Sequence, residues 1–297
     1  MNKLGVHALV WEAGWSRDEC ARAIARTAEA GYDLIEIPAL DPASFDVAAT
    51  RRLLEEHGLQ VTVSLGLSAD ADISSEDPEV VARGEAMLDD ALDVTRDIGG
   101  THMCGILYSA LGKYPRPATA RGRANSVEAL RRVADRAAAS GITLGLEVVN
   151  RYETNVLNTA AQALEFIEEI GPDNVKVHLD TYHMNIEESD LAQAIRACGD
   201  RLGYVHIGES HRGYLGTGSI DFAAIFRALA EIGYDGPITF ESFSSAVVSP
   251  DLSGILAIWR NLWDDSRDLA RHARAYTRVQ LKSAQEALKQ AERSRLP

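Results

Sequence analysis

Residues 143–180 read TLGLEVVNRYETNVLNTAAQALEFIEEIGPDNVKVHLD. The stretch opens with a short apolar run, Thr143 to Val149, of the length and β-branched content of a buried strand. A polar segment, Asn150 to Asn158, follows as a loop. From Thr159 to Ile170 the apolar residues recur at helical spacing, and Gly171 supplies the left-handed turn that ends such a helix. A second apolar run, Val175 to Asp180, begins at once. One strand, one helix and one more strand make a parallel unit, and each strand ends in a carboxylate, Glu147 and Asp180.

The same unit repeats in both directions. Upstream, strand-like runs span Leu4 to Trp11, Leu34 to Pro38, Gln60 to Leu67 and Thr101 to Leu107. Helical patterns follow them at Ser16 to Ala30, about Asp46 to His57, about Asp77 to Ile98 and Asn125 to Ser140. Downstream come runs at Leu202 to Ile207 and Pro237 to Phe243, with helical patterns at Asp190 to Ala197, Asp221 to Ile232 and Leu252 to Trp263. Eight strand–helix units at a spacing of roughly 30 residues predict an α/β fold, a closed (β/α)8 TIM barrel. Glycines punctuate the helix ends at Gly31, Gly58, Gly99, Gly141, Gly171, Gly199 and Gly233. Helix-to-strand connections are short, whereas strand-to-helix connections are long and polar, which marks the latter side as the working face. The expected organisation is one barrel domain over residues 1–297, with a charged helical extension from about Asp264 to Arg295. The earlier part of that extension is expected to be an extra helix closing the barrel.

Composition narrows the function. A formal charge of −14 argues against a nucleic-acid partner, because phosphate backbones are held by basic surfaces. No apolar run approaches the ~20 residues needed to span a bilayer, and the N-terminus runs straight into a strand rather than a signal peptide. Three scattered cysteines (Cys20, Cys104 and Cys198) form no CxxC pair and fit reduced thiols in a cytoplasmic protein.

Four metal-competent side chains fall at the ends of the last four strands: Glu147, Asp180, His206 and Glu241. In a closed barrel those ends are neighbours on the rim, so the four converge. Each interrupts an apolar run where an unpartnered charge is costly to bury, which makes a cation the economical explanation. Three carboxylates and one imidazole suit Mn2+, Mg2+ or Co2+ better than structural zinc. Glu153, His183 and Arg212 follow strands five, six and seven in loops, where they could hydrogen-bond hydroxyl and carbonyl oxygens.

Several segments resemble the D-tagatose 3-epimerase family, which includes the D-allulose (D-psicose) and L-ribulose 3-epimerases. They are LEVVNR (146–151), HLDTYHMNIEE (178–188), VHIGE (205–209) and GYDG (233–236). The resemblance runs from the first strand to about Trp263 and is most specific in LDTYHMNIEE. NRYETNVLN (150–158) and GESHRGYLGTG (208–218) look most like the D-allulose and L-ribulose 3-epimerase branch. It implies a xylose-isomerase-like barrel, one divalent ion per subunit on Glu147, Asp180, His206 and Glu241, and a homodimer or homotetramer. It also implies that Glu153, His183 and Arg212 anchor the first carbons of a free ketose, and that His7, Ile106 and Leu111 lie along the rest of the sugar.

The implied reaction is proton removal at C3 of a ketose and return to the opposite face through a cis-enediolate, with Glu147 and Glu241 as the two bases. D-fructose and D-allulose, D-tagatose and D-sorbose, and L-ribulose and L-xylulose are the expected pairs. The nearest rival is an aldose–ketose or hydroxypyruvate isomerase on the same barrel and metal. A hydride-shifting enzyme would want a second metal cluster, and a DNA-repair nuclease would want more histidines and a basic face. A non-catalytic sugar-binding barrel would be expected to have lost part of this set, and none of it is missing.

Overall fold

A strand packed between an outer helix and a filled barrel interior is buried on both faces, which is why the strands here read as continuous apolar runs. In the computed structural model, which describes residues 2–39, 41, 42 and 45–294, eight such strands close a parallel barrel. They are β1 (Leu4–His7), β2 (Leu34–Pro38), β3 (Gln60–Leu67), β4 (His102–Ala110), β5 (Thr143–Val148), β6 (Val175–Asp180), β7 (Leu202–Ile207) and β8 (Ile238–Phe240). Each pairs with its sequence neighbours, and β1 closes on β8 with Leu4 opposite Ile238.

The helices are α1 (Arg17–Glu29), α2 (Val47–His57), α3 (Pro78–Asp97), α4 (Ala120–Ala139), α5 (Ala160–Ile170), α6 (Thr181–Glu187), α7 (Leu191–Cys198), α8 (Phe222–Glu231), α9 (Pro250–Ile255) and α10 (Ser266–Arg293). Many start on a side-chain cap: Asp46, Thr119, Thr159, Asp190 and Asp221 each accept a backbone N–H from the first turn. The seven punctuating glycines all have positive φ, the conformation in which a Cβ would be strained.

Three expectations need correction. Strand four runs on to Ala110, and its helix starts at Ala120 rather than Asn125, because Thr119 caps it earlier. The polar stretch after β6 is not a loop. Asp180 caps α6 by accepting the Tyr182 N–H, so a short helix begins directly at the strand end.

The third correction concerns the eighth helix, expected over Leu252 to Trp263. Helix α9 covers only Pro250–Ile255, and the chain leaves it at Ala257, which adopts φ 54°. Leu252 and Leu256 pack with Leu9, Phe243 and Val248 in a small apolar cluster apart from the main core. Trp263 is buried and donates its indole N–H to Ser242 Oγ at 2.9 Å.

Helix α10 takes the vacant outer position. Leu269, Ala270, Ala273 and Thr277 form its buried stripe, which packs on α8 and β8. On its other flank the Tyr32 hydroxyl, just past α1, donates to the Ala270 carbonyl at 2.7 Å. The helix therefore bridges α8 and α1. The expected end of this tail, at Arg295, lies outside the described residues.

Because Leu269 is fully buried there, Leu269→Ala is expected to cost about 2–4 kcal/mol. Val279→Ala, at a position 66% exposed on the same helix, should stay within about 0.5 kcal/mol. Urea denaturation of the two variants checks whether α10 is part of the barrel's cooperative unit.

Candidate active site

Four strand ends bring their last polar side chains to one point. Glu147 comes from β5, Asp180 from β6 and His206 from β7, and Glu241 lies one residue past β8; all four are buried. One ligand atom from each lies within 4.8 Å of the others. His206 Nδ1 sits 3.3 Å from Glu147 Oε1, 3.5 Å from Glu241 Oε1 and 3.8 Å from Asp180 Oδ2.

The tautomer of His206 is set from the other side of the ring. Its Nε2 lies 2.8 Å from Glu36 Oε2, a carboxylate oxygen that can only accept, so Nε2 carries the proton. Nδ1 faces three carboxylates and has no hydrogen-bond partner. Against burial, Glu36 and Glu241 hold the ring's pKa well above its ordinary value, so this nitrogen sits where a positive charge is required, and a bound cation would supply it in place of a proton. The donor set is mostly hard oxygen with one nitrogen, which fits Mn2+, Mg2+ or Co2+.

Among the protein groups alone, the acids differ. Burial, together with Asp180 and Glu147 nearby, pushes Glu241 well above the usual carboxylate range despite the pull of Arg212 and His206. Burial would also raise Glu147, yet His178 and His206 outweigh it and hold that carboxyl low. Asp180 is held low, against burial, by Arg212 and the histidines.

Glu153, His183 and Arg212 stand beside this cluster. Arg212 Nη1 donates to Asp180 Oδ2 at 2.9 Å and to Glu241 Oε2 at 2.6 Å. Its guanidinium lies over the Tyr182 ring at 3.9 Å. The residue adopts φ 61°, a strained conformation that its loop enforces. Its N–H donates to the Glu209 carbonyl, and the buried Glu209 carboxylate accepts from the N–H groups of Ser210 and Gly216.

His183 Nδ1 accepts from the backbone N–H of Asn150 at 3.2 Å and lies 2.8 Å from Asn150 Nδ2. The proton therefore sits on Nε2, which faces Arg212 Nη2 at 3.2 Å and Glu153 Oε2 at 4.0 Å. Two N–H groups that close repel one another unless an oxygen accepts from both. The trio thus offers a pair of donors and one carboxylate acceptor, a match for a carbonyl beside a hydroxyl.

A pocket of about 100 Å³ opens onto these groups, room for several waters or a small polar solute. His7, Ile106 and Leu111, the remaining expected residues, all line it. His7 Nδ1 accepts from the Leu9 N–H and its Nε2 faces Ser64 Oγ at 3.2 Å. Burial lowers its pKa to about 4, against the pull of Glu36, so the ring is neutral.

Reading the sequence missed Glu36, Asn150, His178, Phe243 and the pair Leu252 and Leu256. A signal existed for Glu36, the lone acid in the apolar run LIEIP (34–38). Phe243 and the two leucines offered none. His178, one inward position below Asp180, is fully buried with no hydrogen-bond partner for either ring nitrogen. It packs edge-on against His206 and Tyr204, with burial lowering its pKa to about 4. With Glu147 and His206 it forms a second, smaller metal-competent grouping among the described residues.

The profile of the xylose isomerase-like TIM barrel family matches residues 24–279. A ketose 3-epimerase of Arthrobacter globiformis is 57% identical over 279 residues, covering 94% of this chain and 96% of that one. An L-ribulose 3-epimerase of Methylomonas sp. (strain DH-1) is 58% identical over 269 residues, 91% of this chain and 94% of that one. The crystal structure of a D-allulose 3-epimerase from Methylomonas sp. in complex with D-allulose superposes with a TM-score of 0.93 at 56% identity. It covers 94% of this chain and 97% of the other.

Restoring Mn2+ to chelator-treated protein is expected to raise the melting temperature and to saturate at one ion per chain. At a free concentration of 100 times Kd, the gain should be about 2.7 kcal/mol. Asp180→Asn should remove most of that shift in the same thermal assay, and a wild-type protein indifferent to Mn2+ would rule the cluster out as a cation site.

Proposed function

The chain belongs to the xylose isomerase-like TIM barrel family and, within it, to the ketose 3-epimerases, and from that premise we propose that it interconverts free ketoses at C3. One observation carries the reading furthest. Glu147 and Glu241, from β5 and β8, both reach the same histidine nitrogen, at 3.3 and 3.5 Å. Inversion at a single carbon requires a base on each face of it, and two carboxylates rooted on different strands beside one point can supply that pair.

The substrates we assign are D-fructose and D-allulose, D-tagatose and D-sorbose, and L-ribulose and L-xylulose. A C3 proton beside a C2 ketone is weakly acidic, so the developing enediolate needs positive or hydrogen-bonding partners. Glu147, Asp180, His206 and Glu241 would hold one Mn2+, Mg2+ or Co2+ ion, which would supply Lewis acidity to the charge that develops on the enediolate. His183 Nε2–H and Arg212 Nη2–H donate to substrate oxygen at the carbonyl end, and Glu153 accepts from a hydroxyl.

One glutamate removes the C3 proton from its face, leaving a planar cis-enediolate. The other delivers a proton from the opposite face. After one turnover the roles stand reversed, ready for the other epimer or for exchange with solvent. His7, Ile106 and Leu111 are assigned to the remaining carbons of the sugar.

The same proposal extends to the setting of the enzyme. All three cysteines are buried and unpaired, which supports a reducing, cytoplasmic location. No described helix is long and apolar enough to cross a membrane. Exposed Tyr152, Ile186, Ile255 and Trp259 follow strands five, six and eight on the side that carries the site, which supports a homodimer or homotetramer. Light scattering should return two or four chain masses; one chain mass would remove this part.

The deciding assay offers D-fructose, D-tagatose and L-ribulose to the Mn2+-loaded protein in D2O, with products separated by chromatography and C3 deuterium read by NMR. Epimer formation should fall at least about a hundredfold in Glu147→Gln and in Glu241→Gln. Each variant should still exchange the C3 proton of the one epimer that its remaining carboxylate faces. Aldose products alone would instead assign a C1–C2 isomerase to the same site.

A further inference from the structure

Glu36 is an acid of the pocket that lies outside the four-group cluster and has no place in the proton transfers above, yet it touches that cluster through His206. It lies in β2, is fully buried, and has no lysine or arginine partner among the described residues. A bare carboxylate in a barrel interior is among the costliest groups to bury, so its surroundings must answer for it.

They do so through one oxygen. Oε2 accepts from His206 Nε2–H at 2.8 Å and from the Tyr204 hydroxyl at 2.8 Å. That phenol proton is committed to Glu36, because Thr62 and Thr239 each place a hydroxyl 2.7 Å from the Tyr204 oxygen and can donate to its lone pairs. The chain of hydrogen bonds is fully satisfied and spans β2, β3, β7 and β8. The other oxygen, Oε1, has no hydrogen bond and stands 3.6 Å from His7 Nε2.

We infer that Glu36 is a positioning residue for the cation site: it fixes the tautomer and orientation of His206, and its charge strengthens Nδ1 as a ligand. The inference rests on the cation reading above. A histidine ligand whose second nitrogen donates to a carboxylate is held in the liganding tautomer and made more basic. Here that carboxylate is itself held by Tyr204, so the orientation of His206 is set by the barrel interior rather than by the rim loops. Through Oε1 the same carboxylate faces His7, which ties the cation site to the pocket wall.

The test uses full-length, chelator-treated protein and Mn2+ alone, with free Mn2+ read by electron paramagnetic resonance and folding read by thermal melting. Glu36→Gln keeps the shape and a hydrogen-bond acceptor but removes the charge. Its Mn2+ affinity is expected to fall roughly 10- to 100-fold, while the metal-free melting temperature does not drop. A role in packing alone would give the reverse pattern, a lower metal-free melting temperature with affinity unchanged, and would overturn the inference. Should Glu36→Gln fail to fold, Tyr204→Phe removes one of the two short bonds to Oε2 while keeping the ring. A loss of about threefold is then expected, and an unchanged affinity would overturn the inference. Wild-type protein that binds no Mn2+ removes the cation reading together with this inference; wild-type binding with both variants intact removes this inference alone.

Discussion

Negative charge gathered at one end of a closed barrel is the constraint around which this molecule is arranged. Glu147, Asp180 and Glu241 meet Nδ1 of His206, one atom from each within 4.8 Å of the others, and Glu36 adds a further acid behind that histidine. Among the described lysines and arginines, Arg212 alone pairs with these acids, with one nitrogen shared between Asp180 and Glu241. One guanidinium cannot offset that many acids at such depth. The barrel holds the groups together because strand ends cannot move apart without breaking the sheet. Repulsion that would open a loop is here held in place, and in the proposed reading a cation offsets it.

The support for that arrangement is unequal around the ring. Among the described residues that line the pocket, the carboxylates and the guanidinium are carried by β5, β8 or the loops after β5 and β7, with Glu36 of β2 the exception. The first four strands contribute His7, neutral, and a wall of Leu9, Pro38, Leu65, Ile106 and Leu111. In the proposed reaction, chemistry at C2 and C3 demands fixed donors, acceptors and bases, and the charged half is the one that can supply them. The rest of a sugar has to be fitted rather than transformed, and the apolar half can vary without disturbing the proton transfers.

Much of this was legible in the chain because each signal was local. A strand ending in Glu147, a helix closed by Gly171 and a strand ending in Asp180 are written consecutively. Repetition of that pattern gives the barrel, and the barrel places strand ends side by side. What stayed hidden depends on contacts far apart in sequence. The outer position after β8 is filled by α10 rather than by residues 252–263, because Tyr32 and α8 provide its seat. Helix α6 has too little apolar periodicity to be seen, and it forms because Asp180 doubles as its cap. Leu252 and Leu256 look like the face of an outer helix, yet they roof the pocket beside Phe243.

Glu36 shows why such sites resist reading in one dimension. In the chain it is a single acid among apolar residues, compatible with an ion pair, a ligand or a buried proton. Only the closed barrel brings it within 2.8 Å of a histidine 170 positions away and of the tyrosine two residues before that histidine. The pairing of β7 with β8 sets Tyr204 and Thr239 together, β3 adds Thr62, and the resulting network leaves His206 one orientation. The ligand set at the rim is therefore only half of the site's definition; the other half lies one layer deeper, in hydrogen bonds that decide which way the ligands face.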